Sequence, residues 1–411
     1  MAVLPLALIL AAAMAPPLCA QPHAGRRVAA RVPKAAAPPP SAPQPKALPP
    51  RAPFTAADDA DAHIPGIPDA RFFADSLADF KKALPSKPGP WLVLSSGGED
   101  GAFGAGLLNG LTASGKRPDY SVVTGVSSGA LMAPFAFAGP RYDDALRDAY
   151  TTITSADIFE IGATPESFVD TWPLKDLIAK EMTPALLADI AVKYREGKRL
   201  FIITTDLDAQ RSVVWDMGAI AAHGGEAALN LFRQVLLASS AIPGAFPPVR
   251  IDVEGNGKRF AEMNVDGGVG GQFFVAPAAA LAATSDYHLP ATKLDVVVDS
   301  GLQPEFEVVQ RTTEAILGQS IGMMVKVDTR LMLDRAYLLA KRSGIDLNVA
   351  SIPPDFHVSS HGTFDPDYMK ALFHTGYDIG KSATPFSTVP PPYPGAAASA
   401  AQDPEKTGAA Q

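Results

Sequence analysis

Ser127 lies between two glycines in the pentapeptide Gly125-Val126-Ser127-Ser128-Gly129. The residues before it have the apolar pattern of a buried strand, and the residues after it have helical spacing. A serine hydroxyl becomes an effective nucleophile when it is exposed, has a base beside it and faces donors for an oxyanion. A sharp strand-to-helix turn gives that exposure, and flanking glycines let the backbone turn without Cβ clashes. The pattern predicts a nucleophile elbow with Ser127 as nucleophile; a tight turn with capping serines is the alternative.

A glycine-rich loop, SSGGEDGAFGAG at residues 95–106, follows one predicted strand and opens a helix. Such a loop can present several backbone N–H groups to an anion. It lacks the Gly-Lys-Ser/Thr of a P-loop, and no acid follows at the position that a dinucleotide site requires. The loop lies about 30 residues before Ser127, so one strand–helix–strand step places both at the same edge of a parallel sheet. We therefore predict that Gly97 and Gly98 are the oxyanion donors, and that Gly101 permits close packing.

Asp266 ends a predicted strand in the segment NVDGGVGG, residues 264–271. A carboxylate at a strand end, beside the sheet edge, can accept the proton of Ser127. An ordinary Asp-Gly turn is the alternative interpretation of this segment.

A Ser-His-Asp triad is the competing catalytic arrangement. Four histidines follow Asp266 in the order that α/β-hydrolases have: His288, His357, His361 and His374. None of them is predicted at a strand end beside the serine motif, so surface or packing roles are expected for each. His357 and His361 fall in a predicted loop and are the best candidates of the four.

Together these motifs resemble the layout of patatin-like phospholipases, and the stretch ASSAIPGAFPPV at residues 238–249 is also typical of that family. The resemblance implies hydrolysis of lipid acyl esters, of phospholipase A or lysophospholipase type, at a membrane surface. It implies a dyad of Ser127 and Asp266 with an oxyanion hole at Gly97 and Gly98. It implies no metal and no cofactor.

The glycine-rich loop departs from the family pattern at two positions. Ser96 stands where the family has its first glycine, and Asp100 replaces a basic residue. An acid so close to an oxyanion site opposes its chemistry unless the side chain points away.

The rest of the chain predicts the elements that must position these motifs. From Trp91 onward, buried strand patterns alternate with helical patterns. This alternation predicts an α/β fold with a mostly parallel sheet flanked by helices, and the resemblance implies a patatin-like three-layer architecture. No linker interrupts the pattern, so we predict one domain over residues 65–389. Residues 306–344 form a long predicted helical region whose apolar side chains are candidates for core packing or for an acyl groove.

The two ends of the chain differ in composition from this domain. Residues 1–20 are apolar and uncharged and predict a secretory signal peptide, with a lipidated Cys19 or an uncleaved anchor as the alternatives. Residues 21–64, rich in Pro and Ala and basic up to Arg51, predict an extended linker, with a basic tether that contacts anionic lipid head groups as the alternative. Residues 390–411 predict a disordered tail. Export to a bacterial periplasm or membrane-associated location is expected, with secretion as the alternative.

Overall composition narrows the classes of function. The 411 residues are 47% hydrophobic, enough for a sizeable core, and the net charge of −8 argues against a nucleic-acid partner. Cys19 is the single cysteine, which excludes an intrachain disulfide and a cysteine-based metal site. A lipid-binding module without catalysis is the non-enzymatic alternative, although Ser127 and Asp266 are both intact.

Overall fold

The computed structural model describes residues 48–162 and 164–392. The predicted signal peptide with Cys19, the linker up to residue 47 and the tail from residue 393 lie outside the described residues. No helix within the described part of the chain has both the length and the apolar character needed to cross a membrane.

The elements alternate along the chain much as the sequence predicts. The helices are α1 (Ala56–Ala60), α2 (Leu77–Ala83), α3 (Gly101–Ala113), α4 (Ser128–Ala138), α5 (Asp143–Thr151), α6 (Trp172–Glu181), α7 (Pro184–Arg195), α8 (Met217–His223), α9 (Gly225–Ser239), α10 (Ala278–Leu281), α11 (Thr313–Ser343) and α12 (Pro366–Lys381). The strands are β1 (Arg71–Phe73), β2 (Gly89–Leu94), β3 (Val122–Val126), β4 (Glu160–Ile161), β5 (Val169–Asp170), β6 (Arg199–Asp206), β7 (Arg211–Asp216), β8 (Val249–Gly255), β9 (Lys258–Asp266), β10 (Ala291–Gly301) and β11 (Asp346–Ile352).

The main sheet has the strand order β1-β7-β6-β3-β2-β10-β11. The strands from β6 to β11 in that order are parallel to one another, whereas β7 and β1 extend the β6 edge in antiparallel orientation. Strand β9 pairs antiparallel with the end of β6 and carries β8 as a hairpin partner. The predicted mostly parallel sheet is confirmed.

Both faces of the sheet are buried, which explains why its strands read as continuous apolar runs. In β2, Leu92 and Leu94 face one hydrophobic core, and Trp91 and Val93 face the other. Helices α3, α4, α7, α9 and α12 contribute to the first core, and α2, α10 and α11 contribute to the second. The result is a three-layer arrangement of helices, sheet and helices.

The segment before β1 differs from the sequence prediction, which placed residues up to 64 in a linker. Phe54 stacks on Phe260 with ring centroids 4.3 Å apart, and Thr55 caps α1. His63 forms a β-bridge with Glu254. The linker prediction is therefore wrong for residues 51–64, because the contacts that order this segment come from strands about 200 residues away and leave no local pattern.

Helices α3 and α12 pack with their backbones in direct contact. A Cβ at Gly106 or Gly110 would collide with a carbonyl of α12, and one at Gly376 or Gly380 would collide with a carbonyl of α3. This close packing fixes the start of α3, which is the end of the glycine-rich loop.

Candidate active site

Ser127 occupies the turn between β3 and α4 with φ 55° and ψ −121°, a conformation that non-glycine residues rarely adopt. The flanking glycines are needed for close approach. A Cβ at Gly125 would collide with the carbonyl of Gly129, and a Cβ at Gly129 would collide with the carbonyls that end β2. The strand-turn-helix geometry predicted for this pentapeptide is therefore present.

Sheet register brings the serine and the aspartate together. Val126 at the end of β3 lies beside Ile203 of β6, and the next residue of β6, Thr204, lies beside Asp266 of β9. Ser127 follows Val126 directly. Its Oγ donates a hydrogen bond of 2.6 Å to Asp266 Oδ2.

Asp266 is buried together with its partner. Its second oxygen, Oδ1, accepts a hydrogen bond of 2.7 Å from the backbone N–H of Gly268. Burial raises the pKa of Asp266 to about 6, and the hydrogen bonds from Ser127 and Gly268 act in the opposite direction. A carboxylate with this pKa is ionised at neutral pH and is basic enough to take a proton from an attacking hydroxyl.

The glycine-rich loop lies beside Ser127. Gly98 has φ 59° and lines the same cavity as Ser127. A Cβ at Gly97 would collide with the backbone carbonyl of Asp299 on β10. Among the described residues, the N–H groups of Gly97 and Gly98 donate to no acceptor. They are free to donate to a ligand, and their role as oxyanion donors stays a prediction.

The acidic residues of this loop point into the fold. Asp100 accepts a hydrogen bond of 2.6 Å from the Tyr368 hydroxyl on α12, and Glu99 accepts one from the backbone N–H of Phe364. Burial raises the pKa of Asp100 to about 6 and that of Glu99 to about 7. These contacts tie the loop to α12 and the segment before it, and Asp100 does not line the cavity at Ser127.

Ser239 contacts Ser127 and was missed by the sequence analysis. Its Oγ accepts a hydrogen bond of 3.1 Å from the Ser127 N–H and donates one of 2.7 Å to the Ile203 carbonyl. Two residues later, the Ala241 carbonyl accepts a hydrogen bond from the Asp266 N–H. The stretch at residues 238–249 was noted as a family feature, but no local pattern assigned a contact to any of its residues.

Asp299, at the end of β10, was also missed. It is fully buried, its Oδ1 accepts a hydrogen bond of 2.9 Å from Gly104 of α3, and its N–H donates to Ser95 Oγ. Burial holds its pKa well above the usual range for aspartate. Because it contacts Ser95 before the glycine pair and Gly104 in the helix that follows, Asp299 positions that loop.

An apolar cavity of about 80 Å³ opens beside Ser127 and Gly98. Its wall comes from helices α4–α6 and the segment after α9, with side chains such as Leu131, Ile178 and Phe246. No residue of 306–344 lines it, so the acyl-groove role considered for that region is wrong. Ile316, Met323 and Met324 of α11 are exposed instead.

Within the described part of the chain, no histidine ring forms a hydrogen bond with Ser127 or Asp266. His361 donates its backbone N–H to Asp365, and the His374 ring packs edge-on against Phe373. Ser127 is therefore paired with Asp266 and with no histidine ring among the described residues.

Replacing Tyr368 with Phe tests the link between the glycine-rich loop and α12. The change removes the only hydroxyl that donates to buried Asp100 in the described structure, so we expect unfolding free energy to fall by about 1–3 kcal/mol. Tyr287→Phe is the matched control, because the buried Tyr287 hydroxyl has no hydrogen-bond partner among the described residues. Urea unfolding measures the free energy of unfolding of both variants. Equal values for Tyr368→Phe and Tyr287→Phe would contradict the assigned role of Tyr368.

Comparison with known proteins finds a resemblance over the region that contains this site. The family model for patatin-like phospholipases matches residues 92–279, which include the glycine-rich loop, Ser127 and Asp266. The crystal structure of VipD from Legionella pneumophila is similar at 12% sequence identity, with a TM-score of 0.36, over 72% of this chain. The chain covers 66% of VipD, slightly under two thirds of its length. No curated protein matches the chain. The resemblance expected from the motifs is confirmed: residues 92–279, slightly under half of the chain, match the family model for patatin-like phospholipases.

Proposed function

We propose that this protein is a serine acyl hydrolase of lipid esters, of phospholipase A or lysophospholipase type. The observation that carries the proposal is the hydrogen bond of 2.6 Å from Ser127 Oγ to Asp266 Oδ2, formed at a strained elbow beside an apolar cavity. The patatin-like phospholipase domain supports lipid acyl hydrolysis as the general activity.

In the proposed mechanism, ionised Asp266 accepts the proton of Ser127 as Oγ attacks the ester carbonyl. The N–H groups of Gly97 and Gly98 hold the negative charge that develops on the carbonyl oxygen. The tetrahedral intermediate collapses, the C–O bond to the alcohol breaks, and the alcohol leaves with the proton from Asp266. Water then attacks the acyl-enzyme while Asp266 takes its proton, and Ser127 is regenerated with release of the fatty acid.

The cavity supports an acyl chain as the part of the substrate that is bound next to Ser127. Its wall is almost entirely apolar, and burial of methylene groups there contributes about 0.8 kcal/mol each. The polar alcohol portion is left on the solvent side of the serine. The proposed steps use no metal ion and no cofactor.

Two alternative functions differ from this proposal in the residues that they require. A Ser-His-Asp esterase requires a histidine that takes the serine proton, and a non-catalytic lipid-binding module requires no reactive serine. A fluorophosphonate probe that labels Ser127 would exclude the module.

Substitutions of the dyad separate the catalytic alternatives. Ser127→Ala removes the nucleophile, and Asp266→Asn keeps the side-chain shape but cannot accept a proton, so we expect both to lose nearly all hydrolysis of p-nitrophenyl esters. We expect His288, His357, His361 and His374 each to tolerate replacement by Gln with at most about a tenfold loss of kcat, or roughly 1.4 kcal/mol. Thermal unfolding provides the folding control. A folded histidine variant as inactive as Ser127→Ala would contradict the dyad.

The pH profile follows from the raised pKa of Asp266. Only its ionised form accepts the proton, so kcat/KM should fall about tenfold per pH unit below about 6 and be flat above. Glu99→Gln is the control, because Glu99 also has a raised pKa but lies outside the proposed proton transfer, and the midpoint should persist in that variant. A midpoint near the usual aspartate pKa of about 4 would argue against buried Asp266 as the base.

We also propose that the phospholipid bilayer is the surface on which the enzyme acts. Phe306 and, on α11, Ile316, Met323 and Met324 form an exposed apolar surface. Further along α11, Met332 lies against Gly271, which precedes Gln272, and the Gln272 side chain accepts a hydrogen bond from Ser96 of the glycine-rich loop. The helix that carries this surface therefore packs beside that loop.

Vesicle flotation tests the membrane proposal. We expect a Met323→Glu, Met324→Glu double variant to bind phosphatidylcholine–phosphatidylglycerol vesicles about tenfold less well, because charged side chains are costly to bring into an apolar interface. Its hydrolysis of a soluble p-nitrophenyl ester should be unchanged. Val192→Glu, at an exposed apolar position on α7, is the control. Equal vesicle binding by the wild type, the double variant and Val192→Glu would overturn the assignment of this surface to membrane binding.

A further inference from the structure

Three buried carboxylates meet where the segment before β1 packs on the sheet, in a cluster that the proposed catalytic steps do not use. They are Asp59 on α1, Asp206 at the end of β6 and Glu262 on β9, with side chains 7%, 0% and 0% exposed. One oxygen atom from each lies within 4.8 Å of the corresponding atoms of the other two.

The positive charges nearby do not balance this cluster. The Arg71 guanidinium forms an ion pair with Glu262, and Arg51 forms an ion pair with the neighbouring Asp208. The three ionised carboxylates and Arg71 therefore leave a net charge of −2 in a buried place.

Two oxygen atoms of the cluster also lack donors. Asp206 Oδ1 accepts a hydrogen bond of 2.9 Å from the backbone N–H of Asp208. Asp206 Oδ2 and Asp59 Oδ1 are buried, and no N–H or O–H group of the described residues donates to either. Buried carboxylate oxygens are normally satisfied by a donor, a water molecule or an ion, so these atoms point to a ligand.

We propose that Asp59, Asp206 and Glu262 bind one divalent cation, and that the cation is Ca²⁺. A charge of +2 balances the net charge of the cluster. Oxygen atoms up to 4.8 Å apart fit around an ion whose oxygen ligands lie at about 2.3–2.6 Å. The ligands are all oxygen, whereas Zn²⁺ sites use nitrogen and sulfur, and Mg²⁺ requires a near-ideal octahedron. Water completes the coordination.

Bound Ca²⁺ would connect three parts of the chain that are distant in sequence. It joins α1 to the end of β6 and the middle of β9, and β9 carries Asp266 four residues after Glu262. The ion is structural in this role and touches no reacting atom. A proton shared between Asp59 and Asp206 is the alternative way to relieve their repulsion, and it needs no metal.

The test is the thermal stability of the full chain, stripped with EDTA and dialysed, with and without 1 mM CaCl₂. A ligand present at about 100 times its Kd stabilises the folded state by about 2.7 kcal/mol, so we expect Tm to rise by about 5 °C. Asp206→Asn should raise Tm of the metal-free protein, because it removes the repulsion, and should abolish the Ca²⁺ shift. Asp75→Asn, which removes an exposed acid paired with Arg211, should keep the shift.

Terbium luminescence gives a second readout that does not depend on stability. Trp215 lies against the Arg71 guanidinium, 5.5 Å from its centre, and so is placed to sensitise Tb³⁺ in the cluster. We expect sensitised emission that Ca²⁺ displaces and that Asp206→Asn and Glu262→Gln each lose. If the wild-type protein shows neither a Ca²⁺ shift nor Tb³⁺ emission, or if Asp206→Asn retains both, the proposal is overturned. Ester hydrolysis plays no part in either readout, so this result is independent of the proposed function.

Discussion

The strained backbone of Ser127 is the constraint on which the rest of the site depends. A positive φ at a non-glycine residue costs about 1–3 kcal/mol and persists only where the surroundings enforce it. Ser239 Oγ accepts a hydrogen bond from the N–H of Ser127, and the Tyr150 hydroxyl donates a hydrogen bond of 2.5 Å to the carbonyl of Ser128. Gly125 and Gly129, on either side of Ser127, let neighbouring backbone segments approach so closely that a Cβ atom would not fit. Packing of the elbow therefore stabilises the conformation that exposes Oγ to the cavity.

The local parts of the site could be predicted from sequence because short-range geometry dictates them. A serine between glycines at a strand-to-helix transition and a glycine-rich loop one crossover earlier must meet at one sheet edge, and both do. The predicted place of Asp266 beside Ser127 also agrees with the structure, although β9 runs antiparallel to β6, contrary to the simple alternation. The prediction for Asp266 is based on its position at the end of a strand, and that position does not depend on the direction in which the strand runs.

Long-range contacts could not be predicted, because they leave no periodic signal. Ser239 and Asp299 reach the elbow and the loop from elements more than 100 residues away. Helix α11 has apolar side chains of the kind that line a cavity, yet helices α4–α6 provide the wall of the cavity beside Ser127. Hydrophobic patterning shows that a helix has an apolar face; which surface covers that face is decided by the tertiary packing.

The acid that replaces the family's basic residue is compatible with an oxyanion site for an electrostatic reason. Asp100 is buried, and below pH about 6 it is neutral; above that pH its charge is stabilised by the Tyr368 hydroxyl on the side away from Ser127. Asp299, beneath the same loop, has a pKa held far above the usual range by burial and, less strongly, by the charge of Asp100. Burial, the stronger of these two causes, disfavours a charge on Asp299. A second negative charge behind Gly97 and Gly98 is therefore disfavoured, which is compatible with an oxyanion bound at their N–H groups.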